Sequence, residues 1–178
     1  GILVGSLHPA YPFASVERAM AGLPGVSFAV EAETEPLRGW LREIVGALDG
    51  QVIHVPPGQK ALYHAALVLL SNYTVTLYAL AERLLQGLGA DRTAAAQALN
   101  SLLAGTVENL HAKSTPDALT GPLVRGDVET IEAHLRALST SEPAIGEVYR
   151  ELARLTLPLA AERGTAPSAL KEIEILLG

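Results

Sequence analysis

Three polar side chains that could take part in chemistry lie along one face of a predicted helix. Lys60, His64 and Ser71 fall within about 40° of one another when each residue turns the helix by about 100°. A lysine in the first helical turn meets the positive end of the helix dipole, which disfavours its charged form and suits an acid–base role. His64 lies one turn later, and three polar groups in a row on an apolar helix could line a pocket. The alternative is a solvated lysine beside polar groups that satisfy one another inside a helical bundle.

A second group of candidates precedes a predicted helix start. Thr120 and Gly121 lie in a polar, glycine-containing segment, and Arg125 comes shortly before Asp127, which is expected to cap the helix. Free backbone N–H groups at a helix start favour anions, so Arg125 is a candidate to bind a carboxylate or phosphate of a substrate. The alternative is a capped loop in which Arg125 pairs with an acidic side chain.

His8 is a further candidate, because it follows the first predicted strand. Ligands in open α/β sheets collect beyond the carboxyl ends of the strands, which would suit His8, although a lone histidine on a loop is more often surface. Asn72 lies about 120° around the helix from Lys60, which favours a different interface for its amide. The histidines lack the spacing of metal ligands, so we expect no metal site.

The first 57 residues have an α/β pattern. Strands are predicted at residues 2–4, 26–30 and 51–55, with helices between them that Ser15 and Thr34 cap. This alternation predicts right-handed crossovers and a parallel sheet. Three strands are few for such a sheet, and we expect further sequence before Gly1. No G-x-G-x-x-G or P-loop occurs, so this chain alone should not bind a dinucleotide.

After Gly58 the sequence predicts helices only. Residues 59–88 form one long helix, in which residues 61–81 carry no formal charge and reach the length of a membrane span. The polar residues within it favour instead a helix buried on most sides, in a bundle or a dimer core. Further helices are predicted over residues 91–110, 127–138, 141–163 and 167–177, the third of these kinked near Pro158.

Composition limits the class of protein. Of the 178 residues, 49% are apolar and 18% are charged, which excludes disorder. The net charge of -6 and the lack of a basic run argue against nucleic-acid binding. There is no cysteine, which excludes disulfides and thiol chemistry. With no signal-peptide pattern, we expect a cytoplasmic protein, and the high apolar content predicts a homodimer.

Several segments together resemble one two-domain family. That family pairs a Rossmann-like domain with the helical domain of unknown function 2520, and its members are described as NADP oxidoreductases related to pyrroline-5-carboxylate reductases and β-hydroxyacid dehydrogenases. The resemblance extends over nearly the whole chain and rests on these segments in order: Gly5-Ser6-Leu7-His8-Pro9, Lys60-Ala61-Leu62-Tyr63-His64-Ala65-Ala66, Ser71-Asn72, Leu119-Thr120-Gly121-Pro122, Arg125-Gly126-Asp127 and His134-Leu135.

The resemblance implies a fold and an organisation. Residues 1–57 would be the end of a Rossmann-like nucleotide domain whose N-terminal half is absent. Residues 58–178 would be an all-helical dimerisation and substrate domain of the 6-phosphogluconate-dehydrogenase C-terminal-like type. β-Hydroxyacid dehydrogenases carry a catalytic lysine near the start of the long helix and an asparagine four residues later. Lys60 matches that lysine, whereas His64 stands in place of the asparagine.

The resemblance also implies a function. The chain would be the substrate-side part of an oxidoreductase that uses NADP or NAD in the intact protein and acts on a small carbonyl or imine compound. Lys60 and His64 would be catalytic: Lys60 would supply or take the proton, and His64 would orient the substrate. The substrate would be bound by His8, Ser71, Asn72, Thr120, Gly121 and Arg125, with Arg125 holding its acidic group. The alternative is a dimeric scaffold or ligand-binding protein that keeps the fold without the chemistry.

Overall fold

The computed structural model describes residues 1–13 and 15–178, and it divides into two compact units, Gly1–Ala79 and Leu80–Gly178. The first unit holds a three-stranded sheet, and the second holds helices only. The predicted fold class, a mainly helical protein with a small α/β part at its start, is confirmed. The units divide inside a helix, and the domain boundary expected at residue 57 stays a prediction.

The elements of the first unit alternate between strand and helix until the last strand. They are β1 (Gly5–Pro9), α1 (Val16–Gly22), β2 (Ser27–Ala32), α2 (Leu37–Ala47), β3 (Gln51–His54), α3 (Lys60–Leu70) and the start of α4 (Asn72–Gly87). Phe28 and Val30 of β2 pack with Val45 of α2 in a small buried cluster. Strand β2 therefore forms the centre of the unit, with α2 covering one face of the sheet.

Two expectations for the sheet are wrong. The first strand is Gly5–Pro9, and the apolar residues Ile2 and Val4 before it are exposed. The sheet is mixed, because β1 pairs antiparallel with β2, whereas β2 and β3 are parallel. A parallel connection between β1 and β2 would need a helix that packs on the sheet. Helix α1 is seven residues long and has no buried residue, so it does not provide that packing. An antiparallel edge strand is a common addition to such sheets.

The long predicted helix is interrupted and is not buried. Ser71 separates α3 from α4, and neither helix has a buried residue. The hydroxyl of Thr74 donates to the carbonyl of Leu70, a bond back along the helix that disturbs regular helical hydrogen bonding. By length and composition alone, Lys60–Gly87 would suffice to cross a membrane, and its most apolar window is 0% buried within the chain. The described residues of the chain therefore leave this helix uncovered.

The second unit packs six further helices. They are α5 (Arg92–Ala112), α6 (Thr115–Ala118), α7 (Pro122–Arg125), α8 (Val128–Ser141), α9 (Pro143–Glu162) and α10 (Pro167–Leu177). The short helices α6 and α7 lie where a loop was expected. Asp91 and Asp127 cap α5 and α8 as predicted, because each side chain accepts a hydrogen bond from a backbone N–H three residues later. Pro158 lies inside α9, also as predicted.

The core of this unit lies between α8, α9 and α10. It is built by Ile131 and Leu135 of α8, Ala153 of α9, and Ile173 and Leu177 of α10. Arg154 of α9 also donates to the carbonyl of Leu177 at 2.6 Å, which satisfies a backbone group that the end of α10 leaves free.

Two isoleucines of α10 test where the stability of this unit comes from. Ile173 is 0% exposed and Ile175 is 70% exposed. We expect Ile173→Ala to lower the free energy of unfolding by about 2–5 kcal/mol, because it leaves a cavity among α8, α9 and α10. Ile175→Ala, the matched control, should change it by less than about 0.5 kcal/mol. Urea unfolding at a fixed protein concentration measures both, and equal losses would contradict this position of the core.

Candidate functional site

A cavity of about 570 Å³ lies in the first unit. One wall is the end of β1 and the segment after it, residues 8–12, and the other wall comes from α3 and the start of α4. Ligand pockets of proteins commonly have this size and combine apolar walls with a few polar groups. The lining residues are His8, Pro9, Ala10, Tyr11, Pro12, His64, Leu67, Val68, Leu70, Ser71, Asn72, Thr74 and Val75.

His8 lies next to last in β1, opposite Ala29 of β2. The Tyr63 hydroxyl donates to the His8 carbonyl at 3.3 Å, and the two rings meet edge to face with centroids 5.6 Å apart. These contacts join α3 to the edge strand. The Nδ1 atom of His8 is buried and has no hydrogen-bond partner among the described residues. Because this atom has no surface open to the cavity, Nε2 is the nitrogen of His8 that a ligand in the cavity can reach.

The expectation that placed His8 at the carboxyl ends of parallel strands is wrong in its geometry. Because β1 is antiparallel to β2, its carboxyl end lies beside the amino end of β2, where Pro9 is opposite Phe28. The cavity therefore opens at the edge strand, and His8 lines it for a different topological reason.

His64 lies on the opposite wall of the cavity from His8. The centroids of the two imidazole rings are 5.8 Å apart and the ring planes are inclined by 55°. Each ring carries two nitrogens that can donate or accept a hydrogen bond, depending on the tautomer. Two imidazoles from different elements thus meet at one cavity.

Ser71 and Asn72 lie further along the same helical wall. Both line the cavity, at the point where α3 ends and α4 begins. The expectation that Asn72 faces another interface is wrong, because the cavity is wide enough to reach residues about 80° apart on the helix surface, as His64 and Asn72 are. Four of the predicted site residues, His8, His64, Ser71 and Asn72, are therefore brought together.

Lys60 is the first residue of α3 and is exposed. It lies one turn before His64 and is not among the described residues that line the cavity. Its predicted catalytic role stays a prediction.

Thr120, Gly121 and Arg125 belong to the second unit. Gly121 precedes α7 with a φ of 99°, a left-handed conformation that glycine adopts without strain. The Arg125 guanidinium lies 3.6 Å from the carboxylate of Asp127 and is 63% exposed. Hydrogen bonds from Thr130 lower the pKa of Asp127, and the charge of Arg125 adds to this effect. This pairing agrees with the alternative of a capped loop, and anion binding by Arg125 stays a prediction.

Two tyrosines that were not site candidates in the sequence help to build the cavity. Tyr63 appeared only within a segment of the family resemblance, yet it joins α3 to β1 through the His8 carbonyl. Tyr11 lines the cavity and packs on Gly22 at the end of α1, where an added Cβ would lie 2.2 Å from its hydroxyl oxygen. The glycine that ends α1 was a signal for such a close approach.

Neither a metal site nor a dinucleotide site is evident in the part of the chain that the structure describes. No group of three or more His, Cys, Asp or Glu side chains there is arranged to hold a metal ion. Helix α2, which connects the parallel strands β2 and β3, begins after Pro36 without a glycine-rich turn. These residues do not fit the pyrophosphate of NAD or NADP, which needs backbone N–H groups at a glycine-rich helix start.

Comparison with known proteins identifies the family of the chain and finds solved structures that resemble it. The family described as "Domain of unknown function (DUF2520)" matches residues 26–156, well over half of the chain. No curated protein matches the sequence.

Protein TM1727 from Thermotoga maritima is 26% identical and superposes with a TM-score of 0.79, covering 89% of this chain and 62% of its own. BF3122 from Bacteroides fragilis, described as a "putative NADP oxidoreductase", is 26% identical with a TM-score of 0.68, covering 87% of this chain and 56% of its own. The chain therefore spans less than two thirds of the length of either protein.

The phenol of Tyr63 makes the free energy of unfolding depend on pH. Burial raises the pKa of Tyr63 above its ordinary value of 10.0, and a backbone hydrogen bond at Ala29 partly offsets this. The folded state then holds the phenol proton more tightly than the unfolded state does. The protonated phenol therefore stabilises the fold below about pH 10, and this contribution is lost as the pH rises through the pKa of Tyr63 in the folded state.

Between about pH 9 and pH 11 we expect the unfolding free energy to fall less steeply in Tyr63→Phe than in the wild type. Urea unfolding at several pH values measures the slope. Phe13→Leu, which changes an aromatic ring without an ionisable group, should keep the wild-type slope. An unchanged slope in Tyr63→Phe would show that its phenol titrates alike in both states.

Proposed function

Because the chain belongs to the DUF2520 family, we propose that it is the helical, dimer-forming, substrate-side portion of an NAD(P)-dependent oxidoreductase. Its substrate would be a small carbonyl or imine compound. The description of BF3122 as an NADP oxidoreductase supports the reaction class. We further propose a cytoplasmic protein that binds neither nucleic acid nor membranes.

The observation that carries this proposal is the cavity of the first unit, in which His8 and His64 face each other across mostly apolar walls. Reduction of a carbonyl or imine requires a proton for the oxygen or nitrogen of the substrate. Imidazole is the side chain whose ordinary pKa range suits proton transfer near neutral pH. An apolar wall excludes water and strengthens the hydrogen bonds that hold the substrate.

We assign a separate role to each polar residue of the cavity. His64 exchanges the proton with the substrate, and Asn72 and Ser71 offer hydrogen bonds that orient it. Lys60, one turn before His64, is the second candidate for proton transfer. Arg125, with Thr120 and Gly121, would bind an acidic group of the substrate.

The nicotinamide cofactor would be NADP or NAD, and its dinucleotide would be bound outside this chain. The residues of the chain do not fit a dinucleotide, and BF3122 is nearly twice as long as the part that the chain covers. For the chain itself the proposal therefore concerns the substrate and its proton. The alternative function is a dimeric scaffold or ligand-binding protein with the same cavity and no turnover.

His64 provides the test of catalysis in the intact protein. With a carbonyl substrate found by NADPH oxidation, we expect His64→Gln to lower kcat about 10²–10⁴-fold with a smaller change in KM, because the proton donor is lost. His111→Gln, at an exposed position of α5, is the matched control and should keep wild-type turnover.

Two results would count against this assignment. Full turnover in His64→Gln, with a large loss of turnover in Lys60→Ala, would show that Lys60 and not His64 transfers the proton. Ligand binding without any NADPH-dependent turnover in the wild type would favour the non-catalytic alternative.

The dimer is proposed from uncovered apolar surface on the long helices. Leu62 and Leu69 of α3, Val75 of α4, and Leu102 of α5 are each at least 63% exposed. α5 has Ala95 as its one buried residue among those described. Stable dimers commonly bury about 2,000 Å² or more in total, and apolar helices of this length can provide that area. A second copy of the chain is the proposed partner.

Sedimentation velocity tests the dimer. We expect the wild type to sediment as a dimer at micromolar concentration and Leu69→Glu to sediment as a monomer, because a charge would be desolvated in the interface. Ile175→Glu, at an equally exposed position of α10, should remain dimeric. A monomeric wild type, or a wild type that floats with lipid vesicles instead, would overturn the proposal.

A further inference from the structure

We propose that His8 binds the carbonyl oxygen of the substrate through its Nε2 atom, and that this substrate carries an apolar body. This proposal rests on the proposed function and deepens it. It names His8 and His64 as the side chains that bind the carbonyl oxygen, and it gives the chemical class of the rest of the substrate.

The first step is that the His8 ring has one nitrogen turned away from the cavity. Its Nδ1 is out of contact with solvent and receives no hydrogen bond from the described residues. Because the open cavity is lined by His8, the other ring nitrogen, Nε2, is the one that a molecule in the cavity can reach. A hydrogen bond from Nε2 to that molecule would form among mostly apolar side chains, where it is stronger than in water.

The second step is that His8 is held in place before any ligand binds. The Tyr63 hydroxyl bonds to the His8 carbonyl, and the Tyr63 ring lies edge-on to the imidazole at 84°. The backbone of His8 is paired with β2. A ligand that bonds to this imidazole therefore loses little affinity to ordering the side chain.

The third step is the placement of the second imidazole. His64 comes from α3, and its ring centroid is 5.8 Å from that of His8. An oxygen between the two rings is within reach of a hydrogen bond from each. A carbonyl oxygen accepts two such bonds through its two lone pairs. His8 would then donate from Nε2–H and position the oxygen, while His64 keeps the proton that the reaction consumes.

The remaining lining defines the body of the substrate. Apart from the two imidazoles, the described lining residues carry no ionisable group other than the Tyr11 phenol. Leu67, Val68 and Val75 cover the helical wall, and Pro9 and Pro12 cover the other. Such walls favour a branched or aromatic hydrocarbon group. A neutral ketone and a 2-oxo acid with such a group share this chemistry, and both serve as probes.

Calorimetric titration of the intact protein without NADPH tests the inference. The probes are benzylacetone, a neutral ketone, and 2-oxo-4-phenylbutanoate, which adds a carboxylate to a similar frame. We expect at least one to bind about tenfold or more tightly than acetone or pyruvate, which lack the apolar body. The probe that binds more tightly shows whether the carbonyl group belongs to a neutral ketone or to a 2-oxo acid.

Variants at His8 separate binding by Nε2 from a structural role. His8→Phe keeps the ring and removes both nitrogens, and we expect about five- to tenfold weaker binding of the preferred probe. His8→Gln, whose amide can donate from a position near that of Nε2, should restore part of the affinity. His54→Phe, on β3 and outside the cavity lining, is the control and should bind as the wild type does.

Three results would overturn the inference: no binding of either aromatic probe, equal binding of the small carbonyl compounds, or full affinity in His8→Phe. Circular dichroism of each variant confirms that the fold is retained. Because binding is measured without cofactor, the inference can fail while NADPH-dependent turnover is found. It can also hold while no turnover is found, in which case only the proposed function fails.

Discussion

The contact between Tyr63 and His8 is the constraint on which the candidate site depends. It joins a helix to the edge strand of a small sheet across 55 residues of sequence. Without it, α3 would have few contacts to hold it beside β1, since α3 has no buried residue. With it, the imidazoles of His8 and His64 meet across one cavity. A single hydrogen bond between partly buried groups is modest in energy, and the edge-to-face ring contact adds to it.

The two units differ in how they are stabilised. In the second unit, isoleucines and leucines of α8 and α10 form a buried cluster with Ala153 of α9, which the chain completes by itself. In the first, the buried cluster is confined to β2 and α2, and Leu62, Leu69 and Leu70 of α3 remain exposed. The hydrophobic effect favours covering such surface, which is why the proposed dimer and the proposed ligand both involve the helices that follow the sheet.

The interruption at Ser71 connects local sequence to the site. Thr74 bonds back to the carbonyl of Leu70 and Thr76 bonds back to that of Asn72 at 3.4 Å. Hydroxyls that bond in this way compete with the backbone and disturb helices. The disturbed region is also the end of the cavity, where Ser71 and Asn72 present polar groups between apolar neighbours. The break between α3 and α4 therefore places these two polar groups at the cavity.

Much of the fold could be predicted from the sequence alone, because it depends on local physical chemistry. Ser15, Asp91 and Asp127 specify where α1, α5 and α8 begin, since each cap bonds to a backbone N–H three residues later. The polar stripe on the long helix identified His64 and Ser71, and the combination of segments identified the family. These features need no knowledge of which elements pack together.

Only the tertiary structure decided the direction of β1, the exposure of α3 and α4, and the partners of the site residues. A strand pattern has the same alternation in either direction, so the pairing of His8 with Ala29 depends on the chain path between β1 and β2. An apolar helix has the same sequence whether its own chain or another molecule covers it. The meeting of His8, Tyr63 and His64 likewise depends on long-range packing, because residues distant in sequence become neighbours only when the sheet and the helix form together.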